Sequence, residues 1–171
     1  MGELRLRPFR LDDEGSAHTA QAELLRDDFT FLLEDFDPSE PWADYLARLA
    51  RVSRGEGLAP DRVPADLLAA EVDGELVGRT SIRHRLNDHL ALYGGHIGYG
   101  VRPGFRRRGY ATRILELSLE RAREVGITSA LVVCNDDNAG SAATIERCGG
   151  VLDRIVTGEQ GQALRHYWVA T

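Results

Sequence analysis

The sequence predicts an α+β fold built on one central mixed sheet, in a single domain spanning residues 1–171. Three observations carry this. Stretches of period-two and helical periodicity succeed one another as strand, two helices, three strands, helix, strand, helix and two strands. Asp73-Gly74, between two apolar runs, is a strong hairpin signal. The late run "ITSALVVC" between two helical stretches has the continuous apolar character of a buried strand.

Taken in order, "ELRLRPF" (Glu3 to Phe9) alternates with period two and reads as the first strand. From Asp12 to about Arg54 the pattern is helical. "SAHTAQAELL" and "WADYLARLARV" carry apolar residues at three- and four-residue steps and are separated by Pro38 and Pro41. "RGEGLAPDRVP" is a Gly- and Pro-rich loop. "DLLAAEV" and "ELVGRTSIRHRL" form the hairpin arms, and "LYGGHIGYGV" is a third strand. Its glycines at 94, 95, 98 and 100 suggest a bulge, or close approach of another backbone or a ligand. Ala111, Ile114, Leu115, Ser118, Leu119, Ala122 and Val125 then make one face of a helix that Gly126 ends. "NAGSAATIERCGG" is a short helix stopped by Gly149-Gly150, and "VLDRIVT" and "ALRHYWVA" pair around "GEQGQ".

Composition excludes several classes. The chain is 43% hydrophobic with net charge -6, which fits a globular protein and disfavours nucleic-acid binding. No apolar run approaches the roughly 20 residues that cross a bilayer. "MGELRLRPFR" lacks the apolar core of a secretory signal, and Leu6 stands where a myristoylation motif needs Ser or Thr. Cys134 and Cys148 have neither metal-site nor disulfide spacing, so a cytoplasmic, metal-free protein is expected. All 21 basic residues are arginine.

Four of them, Arg102, Arg106, Arg107 and Arg108, crowd the loop "VRPGFRRRGYATR" with Gly104 and Gly109. A strand that ends in a glycine-containing loop opening a helix suits an anion, because the first helical amides have no partner and the dipole favours negative charge. It is not a P-loop: Tyr110 and Ala111 follow Gly109 where Lys and Ser or Thr are required. It is not a Rossmann turn either, since Pro103 occupies the third glycine position.

Arg106, Gly109 and Ala111 do fit an Arg-x-x-Gly-x-Ala pattern after a strand end. This closely resembles the pyrophosphate loop of the GCN5-related N-acetyltransferase superfamily. "NAGSAATIERCGG", with Asn138 and Ser141, resembles its second cofactor segment, and the element order matches its fold from end to end. "GGHIGYGVRP" and "RHYWV" look like a bacterial group of predicted acetyltransferases within it. The resemblance implies a mostly antiparallel sheet of about seven strands with about four helices, splayed between the fourth and fifth strands. It implies acetyl-coenzyme A as co-substrate: pantetheine along Tyr99, Gly100 and Val101, pyrophosphate on the Arg107, Arg108, Gly109, Tyr110 and Ala111 amides, and Arg106 or Arg107 on a further phosphate. Asn138 would bond the pantetheine arm, with Ser141 beside it. The reaction would be direct attack of an amine, from a small molecule or peptide, on the thioester. Homodimers are common among such relatives.

Two departures from the family pattern matter. His96 stands where many members place a glutamate, and is the candidate base, with His84, Asp88 and His89 as alternatives. Ile145 stands where many carry the tyrosine that protonates the thiolate, leaving that role to Tyr167 or water. Cys134 is expected in the core. These departures motivate an alternative, a catalytically impaired acetyl-coenzyme A-binding sensor, and a nucleotide-binding module is a third reading. The acidic run Asp27, Asp28, Glu34, Asp35, Asp37 and Glu40 could steer a cationic amine or be a solvated face. Phe29, Phe31, Phe36 and Trp42 could line a pocket or pack a core.

Overall fold

A computed structural model describes residues 2–171. The elements are β1 (Arg5–Pro8), α1 (Glu14–Leu25), α2 (Trp42–Ser53), β2 (Ala65–Val72), β3 (Glu75–Arg83), β4 (Ile97–Val101), α3 (Tyr110–Glu124), β5 (Ser129–Asn135), α4 (Ala139–Arg147), β6 (Val151–Thr157) and β7 (Ala163–Ala170). They form one seven-stranded sheet in the order β1-β2-β3-β4-β5-β7-β6. Every pairing is antiparallel except β4 with β5.

Local chemistry explains most boundaries. Asp73 (φ 51°) and Gly74 (φ 84°) both take positive φ, as a type I′ hairpin turn requires. Trp42, Tyr45, Leu49 and Val52 recur at helical spacing and are all buried along α2. Gly126 ends α3 in the left-handed region, and Ile127 N–H returns to Ala122 O at 3.0 Å. Two expected strands are shorter than their apolar runs. β3 stops at Arg83, before His84, Arg85 and Leu86. β4 begins only at Ile97, because Leu90–Gly94 forms a π-turn closed by Gly95 N–H on Leu90 O at 2.7 Å. Gly95 then takes φ 66°, and its missing Cβ would lie 2.5 Å from Leu131 O.

The sheet is covered on both faces. Ile82, Ile97, Val132 and Tyr167 pack against Leu115 and Leu119 of α3 and Ile145 of α4. Leu67, Ala69 and Leu76 pack on the other face against α1 and α2 through Ala20, Leu24, Trp42 and Tyr45. Phe31 and Trp42 belong to this second core, and Phe29 and Phe36 pack on its edge, so packing is their main use. No helix is long and apolar enough to cross a membrane.

Candidate functional site

The site begins where β4 leaves β5. The two strands share a single register pair, Ile97 with Val132, whereas β4 pairs with β3 along its whole length. Arg83 N–H donates to His96 O and Arg102 N–H donates to Val77 O. With residues 83 and 77 opposite 96 and 102, even-numbered β4 residues direct their backbone groups to β3. Tyr99 and Val101 therefore direct theirs into the widening gap toward β5.

Beyond β4 the arginine loop makes an amide cradle. Arg107 (φ 63°) and Gly109 (φ 79°) are both left-handed, and Gly109 is the N-cap of α3. Between them the chain turns so that the amides of Arg107, Arg108, Gly109, Tyr110 and Ala111 donate to no protein acceptor among the described residues. Successive free amides at a helix N-terminus form an anion site by construction.

The arginines divide into two pairs. Arg102 is bidentate to Glu23 at 2.9 and 3.0 Å, and Arg106 bonds Asp27 at 2.7 Å and Val101 O at 3.1 Å. Those guanidiniums tie the loop to α1 and are already neutralised. Arg108 bonds Gly104 O at 3.1 Å, and neither it nor Arg107 has a carboxylate partner among the described residues. The loop thus presents two free cations rather than four.

On the opposite wall, Asn138 is the N-cap of α4 and accepts from Ser141 N–H at 3.0 Å, which leaves its side-chain NH₂ free. Ser141 Oγ lies 3.1 Å from Tyr99 OH. Burial pushes the Tyr99 phenol up to about 12, against a smaller opposing effect of the Ser141 bond, so it stays protonated at neutral pH. Burial likewise raises the Cys134 thiol, in keeping with a core role. Ile145 is fully buried, and Tyr167 OH donates to Glu146 at 2.9 Å.

His96 is buried, and its ring is bonded. Leu131 N–H donates to Nδ1 at 2.8 Å and His96 N–H donates to Leu131 O at 2.7 Å, a clasp between β4 and β5 just before they part. The bond places the neutral ring's proton on Nε2, so no lone pair is left to accept another. Desolvation, then Arg83, holds its pKa below the usual histidine value. Protonation must break the clasp, so the stabilising contribution is whole above the unfolded pKa near 6.5 and is lost as pH falls below it. We expect the Tm of the wild type to drop between pH 7.5 and 5.5 by more than that of His96→Asn, whose amide oxygen can still accept. Parallel Tm profiles would exclude the clasp as the titrating element.

The alternative bases are spread out. His84 lies 3.2 Å from Asp66, which also receives Arg121 of α3 and Ser53 of α2, away from the gap. Asp88 and His89 lie on the rim of a cavity of about 860 Å³ beside β3, between the α1–α2 connection and the segment before β4. Three of the six residues of the acidic run are matched by arginines: Asp27 with Arg106, Glu34 with Arg62 at 2.6 Å, and Glu40 with Arg48, while Asp37 accepts from Ser39 and keeps its charge. That removes about half of the steering charge.

Arg79 and Arg83 were not among the expected site residues. Both lie on β3 and share the face toward α1 and α2. Arg79 donates to Phe31 O (3.0 Å), Gly98 O (3.0 Å) and Thr30 O (2.5 Å), with its guanidinium 4.4 Å from the Phe29 ring. Gly98 and Gly100 are small for these neighbours. A Cβ on Gly100 would meet Phe29 at 2.6 Å, and one on Gly98 would meet Arg83 Nη1 at 3.3 Å. The legible signal was two arginines four residues apart on one face of a strand, with only Ser81 between them on that face.

Comparison with known proteins agrees with this geometry. Over its full length the fold is similar to RimJ of Mycobacterium smegmatis, solved with CoA-disulfide, at TM-score 0.73 and 18% identity, covering 99% of this chain and 83% of that one. It is similar to the Salmonella typhimurium acetyltransferase that modifies the N-terminal serine of ribosomal protein L7/L12, at TM-score 0.70 and 16% identity, covering 98% and 95%. It is also similar to YncA of Salmonella typhimurium, a putative acetyltransferase solved with acetyl-CoA, at TM-score 0.64 and 17% identity, covering 98% and 93%. No curated protein matches the sequence. Residues 20–150 match the profile of the family described as acetyltransferase (GNAT), and by that match over most of its length the chain belongs to the GNAT acetyltransferase family.

Proposed function

We propose that this protein is an acetyl-coenzyme A-dependent N-acetyltransferase acting on a primary amine of a small molecule or protein. One observation carries the reading: five successive unbonded amides, Arg107 to Ala111, stand at the start of α3 immediately beyond the parting of β4 from β5. This combination suits a long ligand with a diphosphate at one end, and fold neighbours are solved with coenzyme A compounds. The cradle would hold the pyrophosphate, with Arg107 and Arg108 as its free cations. Tyr99 and Val101, with Gly100 between them, would carry the pantetheine on the backbone edge that faces the gap, with the Asn138 side-chain NH₂ on the opposite wall.

The bound co-substrate supplies an activated thioester that an amine can attack directly. The chain's part is to bind, orient and manage protons. The Tyr99 amide on the gap side is the donor that a developing oxyanion requires. Tyr99 OH, kept protonated and bonded to Ser141, holds the proton that a departing sulfur needs, in place of the tyrosine absent at Ile145. An ammonium brought near Arg79 is desolvated beside positive charge, and both effects favour its neutral, nucleophilic form. Its proton leaves through the open cavity, past Asp88 and His89.

A specific observation keeps the sensor reading in play: His96 has no free lone pair and Ile145 is buried. Calorimetry with acetyl-coenzyme A, coenzyme A and ATP, followed by free-thiol release across a broad amine panel, separates the readings. Binding of both coenzymes with turnover is expected. Coenzyme binding without release from any amine would favour the sensor, and binding of ATP alone would favour a nucleotide module. We also infer a cytoplasmic protein that does not act on nucleic acid or membranes, on the basis of its acidic charge and lack of an apolar span.

A further inference from the structure

The floor of the 860 Å³ cavity holds a cation with no counter-ion. Arg83 lines the cavity on β3. Its side chain makes one hydrogen bond, Nη1 to Gly94 O at a long 3.3 Å, although a guanidinium offers five donors. No ion pair to Arg83 exists among the described residues. Arg79, four residues earlier on the same face, differs in kind. Its three bonds to carbonyls hold the 29–31 segment against β4, so it is a wall element with its donors engaged. Glu34, on the same cavity wall, is committed to Arg62 at 2.6 Å. Asp35 lies 3.9 Å from that same arginine and is almost fully exposed. No carboxylate of the lining, Asp61 and Asp88 included, forms an ion pair with Arg83 among the described residues, although the charge of Glu34 acts on it from a distance.

Placement gives this cation a use. Arg83 Nη1 would lie 3.3 Å from a Cβ on Gly98, so it sits directly over β4 one residue before Tyr99, where the gap to β5 opens. An unpaired, partly desolvated guanidinium with free donors suits a carboxylate or phosphate, which it can grip in bidentate fashion. A cavity of this size takes a small molecule. The geometry points to an acceptor whose primary amine is close to an anionic group, a carboxylate or a phosphate, with Arg83 holding that group beside Gly98 so that the amine faces the gap. Desolvation pulls the Arg83 pKa down, the charge of Glu34 opposes this, and the charge of Arg62 adds a smaller lowering. A bound anion would relieve that strain.

This inference rests on the acetyltransferase reading, and its test separates the two. Thiol release from acetyl-coenzyme A is measured with the full chain and matched acceptors: α-amino acids against their carboxamides, and aminoalkyl phosphates against the corresponding amino alcohols. In at least one series the charged member is expected to have the higher kcat/KM, by about 10²-fold. Which series responds identifies the anion. Arg83→Gln is expected to abolish most of that preference through KM. Turnover of the uncharged members and calorimetric affinity for coenzyme A should stay within about threefold. Arg83→Lys should recover part of the preference, keeping charge without the fork. Turnover without charge preference in the wild type overturns this inference and leaves the acetyltransferase reading standing. Equal losses for charged and uncharged acceptors in Arg83→Gln also overturn it, because they assign Arg83 to the reacting centre or the fold. Coenzyme bound with no thiol release from any acceptor overturns both.

Discussion

Gly109→Asp is expected to weaken acetyl-coenzyme A binding by about 10²-fold relative to Gly109→Asn, with little difference in Tm between the two variants. Gly109 caps α3 at φ 79°, with no atom within 4 Å of where a Cβ would stand, so a short side chain has room. Asn and Asp are among the residues that tolerate left-handed backbone and favour helix N-caps, so both should fold at a similar modest cost of about 1 kcal/mol against glycine. They are nearly the same shape, and charge is what separates them. A carboxylate about 4 Å from a phosphate costs on the order of 4 kcal/mol at an effective dielectric of about 20, and less after screening by salt. At about 1.4 kcal/mol per decade, a net cost of 2–3 kcal/mol is roughly 10²-fold. Calorimetry on both variants checks it. Equal coenzyme affinity for the Asp and Asn proteins would place the diphosphate elsewhere.

The second large effect is on the fold and originates one strand away. Gly78→Ala is expected to destabilise the protein by about 1–3 kcal/mol, from the overpacking of a site that cannot relax. A Cβ there would lie 2.4 Å from Gly100 O and 3.3 Å from Val101 Cα, which are backbone atoms of β4, with Ile114 of α3 closing the third side at 3.1 Å. No side chain can rotate out of the way, so β3 and β4 must separate where β4 also turns its other edge to the gap. At about 2–4 °C per kcal/mol for a chain of this size, Tm should fall by roughly 2–12 °C. Coenzyme binding should weaken with it. Gly104→Ala, where nothing lies within 4 Å and no positive φ is needed, is the matched control and should leave Tm unchanged. A Gly78→Ala protein as stable as that control would show that β4 moves freely against β3.

Much of this molecule was legible in particular residues. The helical spacing of Trp42, Tyr45 and Leu49, the paired positive-φ turn at Asp73-Gly74, and the stops at Gly126 and Gly149 follow from local chemistry, and the order of elements is as their patterns placed it, although β3 and β4 are shorter than their runs. The amide cradle was legible too, because a glycine at the start of a helix dictates both conformation and unsatisfied donors. What local pattern could not supply was pairing. Nothing in "FRRRG" tells that Arg102 and Arg106 find Glu23 and Asp27, which lie 79 residues away in the chain, while Arg107 and Arg108 find no carboxylate. Nor do the glycines of β4 announce that their close neighbours are Phe29 and Arg83.

By itself, then, the sequence determined the succession of elements, the strand–loop–helix that awaits an anion, and the family that these imply, since periodicity, turn residues and helix-end donors are properties of a few consecutive positions. Only the tertiary structure decided which charges remain free, that His96 is a clasp with an occupied lone pair, and that Arg83 stands uncompensated beside Gly98. Those outcomes depend on which distant carboxylates and carbonyls packing brings within hydrogen-bonding reach, and the strength of a charge in a site is set by the partners it does not have.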